Sequence, residues 1–202
     1  MPVDADIIQP GIQMKLKTYT KQGLWSLFLI CAFPFHLWTL ILVFRDVSWI
    51  TERTNSWDAI GVGAYGLLFA LAESVLAFFV LALIGFVTPR QWNTNKRISF
   101  LGLLFLILAI WGMISQLFFI WNINLPLSTM QFLARSGHPL WWLYGGSLAV
   151  VVPTVALPVY FFLRTDKVST FMQELIDRLS LLTMLYLFFD FIGLVIVIIR
   201  NI

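Results

Sequence analysis

The chain has 202 residues, 60% of them hydrophobic and only 11% charged, with a formal net charge of +3. A water-soluble domain is about 45–50% apolar and about 25% charged. A globule of this size could not hide so much apolar surface from water, so the composition excludes a soluble fold and points to hydrocarbon as the solvent. The small basic excess forms no tract interleaved with aromatics, so nucleic acid is not an expected partner.

The first 21 residues form a polar and mixed lead, with Pro10-Gly11 marking a turn before Lys15, Lys17 and Lys21. This lead is expected to be cytoplasmic. No small-x-small cleavage site follows a short apolar core, so the first span is expected to be retained and not to act as a signal. Five apolar runs then follow, at about 22–44, 59–87, 98–121, 140–163 and 179–199. Each reaches the ~18–20 residues needed to cross a hydrocarbon core about 30 Å thick. As a helix, each satisfies its own backbone groups, which lipid requires. The short alternating segments of a β-barrel are missing.

The loops carry further signals. Residues 122–139 mix apolar and polar side chains, which suits a short helix lying along the outer interface. Val168, Phe171, Met172, Leu175 and Leu179 recur at helical spacing with Asp166, Lys167, Glu174, Asp177 and Arg178 between them. Either an interfacial helix or a solvated extension of the last span fits that pattern equally. In the fourth span, Pro153 and Pro158 each remove a backbone donor, freeing the carbonyls of Ala149 and Thr154 and inviting a helix break. A broken helix can build a substrate or ion site. Gly145 and Gly146 nearby favour the plainer reading, close helix packing.

The predicted fold class is therefore an all-α membrane protein: a single polytopic bundle over 22–202, with no internal repeat. Basic residues fix its expected orientation. Lys15, Lys17, Lys21, Arg90, Lys96, Arg97, Arg164, Lys167 and Arg178 fall on one side; Arg45, Arg53, Arg135 and Arg200 fall on the other. The positive-inside rule puts the N-terminus in the cytoplasm and the C-terminus outside, in a bacterial-type cytoplasmic membrane. Trp25 and Trp92 at one boundary, and Trp49, Trp57, Trp121, Trp141 and Trp142 at the other, suit interfacial depth.

Three ionisable residues lie inside spans: His36, Glu73 and Asp190. An acid near the bilayer centre costs about 2.5–3.5 kcal/mol on insertion scales, so such residues usually face the bundle interior. Gly66, Ala70, Glu73 and Ala77 share one stripe, and Thr183, Tyr186, Asp190 and Gly193 another. With Ser115 and Gln116 on the third span, these suggest one polar cluster holding Glu73 and Asp190. Tyr186 is expected to bond a carboxyl group, and His36 to lie nearer the outer leaflet after a kink at Pro34. The cluster suits ion handling, binding of a polar headgroup or quinone, or a structural pair.

Other chemistry has little support. Only His36 and His138 are histidines, without metal-binding spacing, so no metal site is expected. Nothing in the chain names a cofactor. Cys31 stands alone in an apolar span and reads as packing. No nucleophile elbow or phosphate-binding loop is present. The leading expectation is a non-enzymatic membrane subunit that scaffolds or binds other membrane subunits. The alternative is a small ion- or proton-coupled transporter using Glu73 and Asp190. A lipid-acting enzyme, with Arg45, Asp46 and Arg53 at an outer mouth, comes third.

Overall fold

A computed structural model describes residues 19–89 and 91–202, apart from the Phe119 side chain. The expected turn at Pro10-Gly11, together with Lys15, Lys17 and Arg90, lies outside the described residues. Six helices and no strand occur among the described residues: α1 Lys21–Arg53, α2 Ser56–Val87, α3 Thr94–Ile120, α4 Leu127–Arg135, α5 Pro139–Arg164 and α6 Asp166–Asn201. All but the short α4 are long and apolar enough to cross a membrane.

Local chemistry sets the helix ends. Thr20 caps α1 by accepting from the Gly23 amide at 3.0 Å. Asn55 caps α2 by accepting from the Asp58 amide at 2.9 Å, and Asp58 adds an acid to that first turn. Asn93 accepts from the Lys96 amide at 2.8 Å as α3 begins. Pro139 opens α5, where its missing N–H costs nothing. Between α1 and α2 only Thr54 and Asn55 intervene, and between α5 and α6 only Thr165, so these neighbours turn back tightly.

Helices α1, α2 and α6 pack against one another as a central trio, with α3 against α1 and α6. Helix α5 lies outside, against α3 and α6, and carries α4. Small residues permit the close approaches. A Cβ on Gly66 would lie 3.2 Å from the Thr39 methyl, and one on Gly193 would lie 3.3 Å from the Ala64 carbonyl oxygen. Leu27, Ile30, Cys31, Leu81, Ile98, Leu101 and Ile176 fill the core near the start of α1.

Beside this apolar core, several polar residues are buried and many large apolar ones exposed. His36, Ser74, Ser99, Thr183 and Asp190 are buried, while Phe44, Phe69, Leu83, Trp141 and Leu181 stand exposed. A continuous apolar exterior around a partly polar interior is what hydrocarbon selects.

Several sequence expectations need correction. Helix α1 does not end near residue 44. Arg45 and Asp46 bond each other at 2.7 and 2.8 Å, and the helix continues past the apolar run to Arg53. Of the two readings of the segment around Val168, the extension of the last span holds, since the segment opens the 36-residue α6. There Ser169, Met172 and Ile176 are buried. Pro153 and Pro158 do not break α5, which runs through both as it does through Pro34 in α1. The Thr154 hydroxyl donates back toward Val151 at 2.8 Å and accepts from the Trp111 indole at 3.0 Å, bracing that stretch against α3. Gly145 and Gly146 meet no other helix among the described residues: a Cβ on either would meet nothing within 4 Å. The short helix expected within residues 122–139 is present as α4.

Charged groups lock both ends of the bundle. Where α1 begins, the buried Arg97 guanidinium donates to Thr88 at 2.7 Å and to the Pro89 carbonyl at 3.3 Å. At the other end, Arg200 donates to Asp58 at 2.8 Å and to the Trp57 carbonyl at 2.5 Å, tying α6 to α2.

Candidate functional site

The most deeply placed polar contact joins α1 to α6. His36 Nε2 lies 3.0 and 2.9 Å from the two carboxyl oxygens of Asp190, 154 residues away along the chain. Both residues are buried, at 0% and 3% exposure. His36 Nδ1 lies 2.8 Å from the Ala32 carbonyl oxygen, which can only accept, so Nδ1 carries a proton and donates. One further proton then sits between Nε2 and the carboxyl group. Whether the pair is imidazolium and carboxylate or imidazole and carboxylic acid, its net charge is zero. That neutrality, together with satisfied hydrogen bonds, is what makes burial tolerable.

The ring of Tyr186 stacks on His36, with centroids 5.9 Å apart and planes 12° from parallel. Phe33 also stacks on Tyr186, with centroids 6.3 Å apart. Tyr186 therefore meets the pair through its ring, and its hydroxyl makes no bond to Asp190 among the described residues. Thr183, Tyr186, Asp190 and Gly193 all lie on the buried stripe of α6. His36 sits near the midpoint of α1, level with Asp190 of α6.

Glu73 does not join this pair. It stands exposed on α2 and lines two adjoining grooves with Trp38 of α1 and Gln116 of α3. One groove, about 390 Å³, runs past Thr39 and Gly66 to Asp46 and Ile50. The other, about 370 Å³, is walled by Phe35, Phe105, Leu108 and Met113. The single polar cluster expected from sequence is thus two places: a closed pair at α1–α6, and an open carboxyl–amide patch among α1, α2 and α3.

The remaining candidates fall elsewhere. Arg45 and Asp46 are occupied by each other, and Arg53 covers the Trp49 ring at 4.4 Å. His138 precedes α5. Among the described residues, no three His, Cys, Asp or Glu side chains gather to hold a metal ion. Sequence reasoning missed the Arg97–Thr88 lock, whose signal was an arginine only four residues into a helix that begins at Thr94. No family model, no curated protein and no solved structure matches the chain.

Proposed function

We propose that this chain is a non-enzymatic integral membrane subunit that receives a transmembrane helix of another protein in the groove around Glu73. The observation that carries this reading is the exposure of Glu73 beside grooves with largely apolar walls. An uncompensated acid facing hydrocarbon costs about 2.5–3.5 kcal/mol. A partner helix presenting hydrogen-bond donors removes that cost, and Gln116 across the groove adds a second polar contact. Helix α5 supports the same reading, since only Phe162 of its 26 residues is buried and much of its length stays available for contact.

The His36–Asp190 pair serves the scaffold: it fixes α1 against α6 with no net charge to stabilise. A proton- or ion-coupled carrier is the second reading, and the access of Glu73 to an open groove is what favours it. The unequal share of basic residues along the sequence supports a cytoplasmic N-terminus.

Gentle extraction followed by mass spectrometry tests the proposal. A membrane partner should co-purify with the native chain and with Leu83→Ala, an exposed site on the same helix, but be lost from Glu73→Leu. A carrier would instead show pH-dependent flux in proteoliposomes when alone, and Glu73→Gln would abolish it. Flux without a partner sensitive to Glu73 would overturn the subunit reading.

A further inference from the structure

The apolar runs of the sequence hold two acids, Glu73 and Asp190. Asp190 is neutralised by His36. Glu73 has no such counterpart: it makes no hydrogen bond or ion pair among the described residues, and neither does Gln116 across the groove. Among the described residues, no lysine, arginine or histidine lines either of the two grooves that meet at Glu73. Asp46, the second acid there, is already held by Arg45. The grooves are thus short of one positive charge.

We propose that the partner helix carries one lysine or arginine within its apolar stretch and that this cation pairs with Glu73, an inference that rests on the partner-helix reading above. A hydroxyl or amide donor would bond the carboxylate but leave its charge in hydrocarbon. A cation removes the charge, as His36 does for Asp190. The two grooves suit such a helix. Thr39, Gly66 and Ala70 give the first a small-residue floor against which a helix backbone can lie. The second opens beside it, past Glu73, Trp38 and Gln116, and its volume of about 370 Å³ is walled by Phe35, Phe105, Leu108 and Met113. That space takes one long side chain with an apolar stem and a charged tip, the build of lysine and arginine. The tip meets the carboxylate, the Gln116 amide oxygen offers a second acceptor, and aromatic neighbours attract a cation.

Gly112 leaves the same wall open to a second chain. It lines the second groove, and a Cβ there would meet nothing within 4 Å. A larger residue at 112 would fill the groove without disturbing the bundle, which provides a variant that leaves Glu73 untouched.

Synthetic transmembrane peptides of defined sequence read the preference. Leucine–alanine helices, identical but for a central lysine, asparagine or leucine, carry a fluorescence acceptor, and energy transfer from the labelled full chain is measured in phosphatidylcholine vesicles. The lysine helix should bind about tenfold more tightly than the asparagine helix, a difference of about 1.4 kcal/mol for a charge-assisted contact. Glu73→Gln should erase that preference, and Gly112→Leu should weaken binding of both helices with Glu73 intact. Equal binding of the lysine and asparagine helices, as a protonated carboxyl would give, or a preference that survives Glu73→Gln, would overturn the cation and leave the partner-helix reading in place. Binding of neither above the leucine control would overturn the inference, and the partner-helix reading would then stand or fall on the co-purification with Glu73→Leu. Displacement of the lysine helix by an equal concentration of dodecylammonium would overturn a helix as the source of the cation.

Discussion

At the scale of the residue, a low-dielectric interior demands a partner for each polar group. His36 and Asp190 satisfy each other, and removing one partner leaves the other buried without its counterpart. Either His36→Ala or Asp190→Leu is expected to destabilise the bundle by about 3–5 kcal/mol. The double replacement His36→Leu with Asp190→Leu should cost less than the sum of the single changes, which a double-mutant cycle in detergent would measure. Tyr19, at the edge of the bundle, behaves differently. Its hydroxyl donates to the Ala82 carbonyl at 2.9 Å, and burial raises its pKa above the usual value, partly opposed by Arg97. A raised folded-state value means the contribution is complete below a tyrosine's ordinary pKa of about 10 and is lost as pH rises through the folded value. Thermal melts between pH 9 and 11.5 should show that loss, and Tyr19→Phe should remove this component of the slope.

At the scale of the element, close approach decides which glycines matter. Gly193 faces the Ala64 backbone, which cannot yield as a side chain can. Gly193→Leu should therefore cost about 1–3 kcal/mol by overpacking, or more if α6 is forced away from α2. Gly146→Ala meets open space and should stabilise α5 by about 0.5–1 kcal/mol. The contrast, read by denaturation in mixed micelles, separates glycines that pack from those that do not. The spans themselves were legible because hydrocarbon imposes a minimum length on every apolar run. Their ends were less so. Apolar runs mark what hydrocarbon needs and not where a helix stops, so α1 continues past its run to Arg53, and the charges among residues 166–178 left two readings of the start of α6.

At the scale of the whole molecule, sequence named the polar residues but not their partners. Depth along a helix follows from counting, which placed Glu73 and Asp190 together. Rotation about the helix axis relative to a neighbour does not follow from counting, and it is rotation that sends Asp190 inward to His36 and leaves Glu73 on a groove. The two acids therefore differ in setting, one closed in a buried pair and one open on a groove. Orientation belongs to this scale too. Single cysteines introduced at Lys21 and Arg53, with Cys31 replaced by Ala, should react with an impermeant maleimide from opposite faces of sealed cells, the Arg53 position from outside.

The most direct test of the open carboxyl's role is site-specific photocrosslinking in intact membranes. A benzophenone amino acid at Gln116, beside Glu73, should give one discrete protein adduct that disappears when Glu73→Leu is added, while a probe at the outward-facing Leu181 gives none. Lipid adducts alone at Gln116, or a protein adduct indifferent to Glu73, would contradict it.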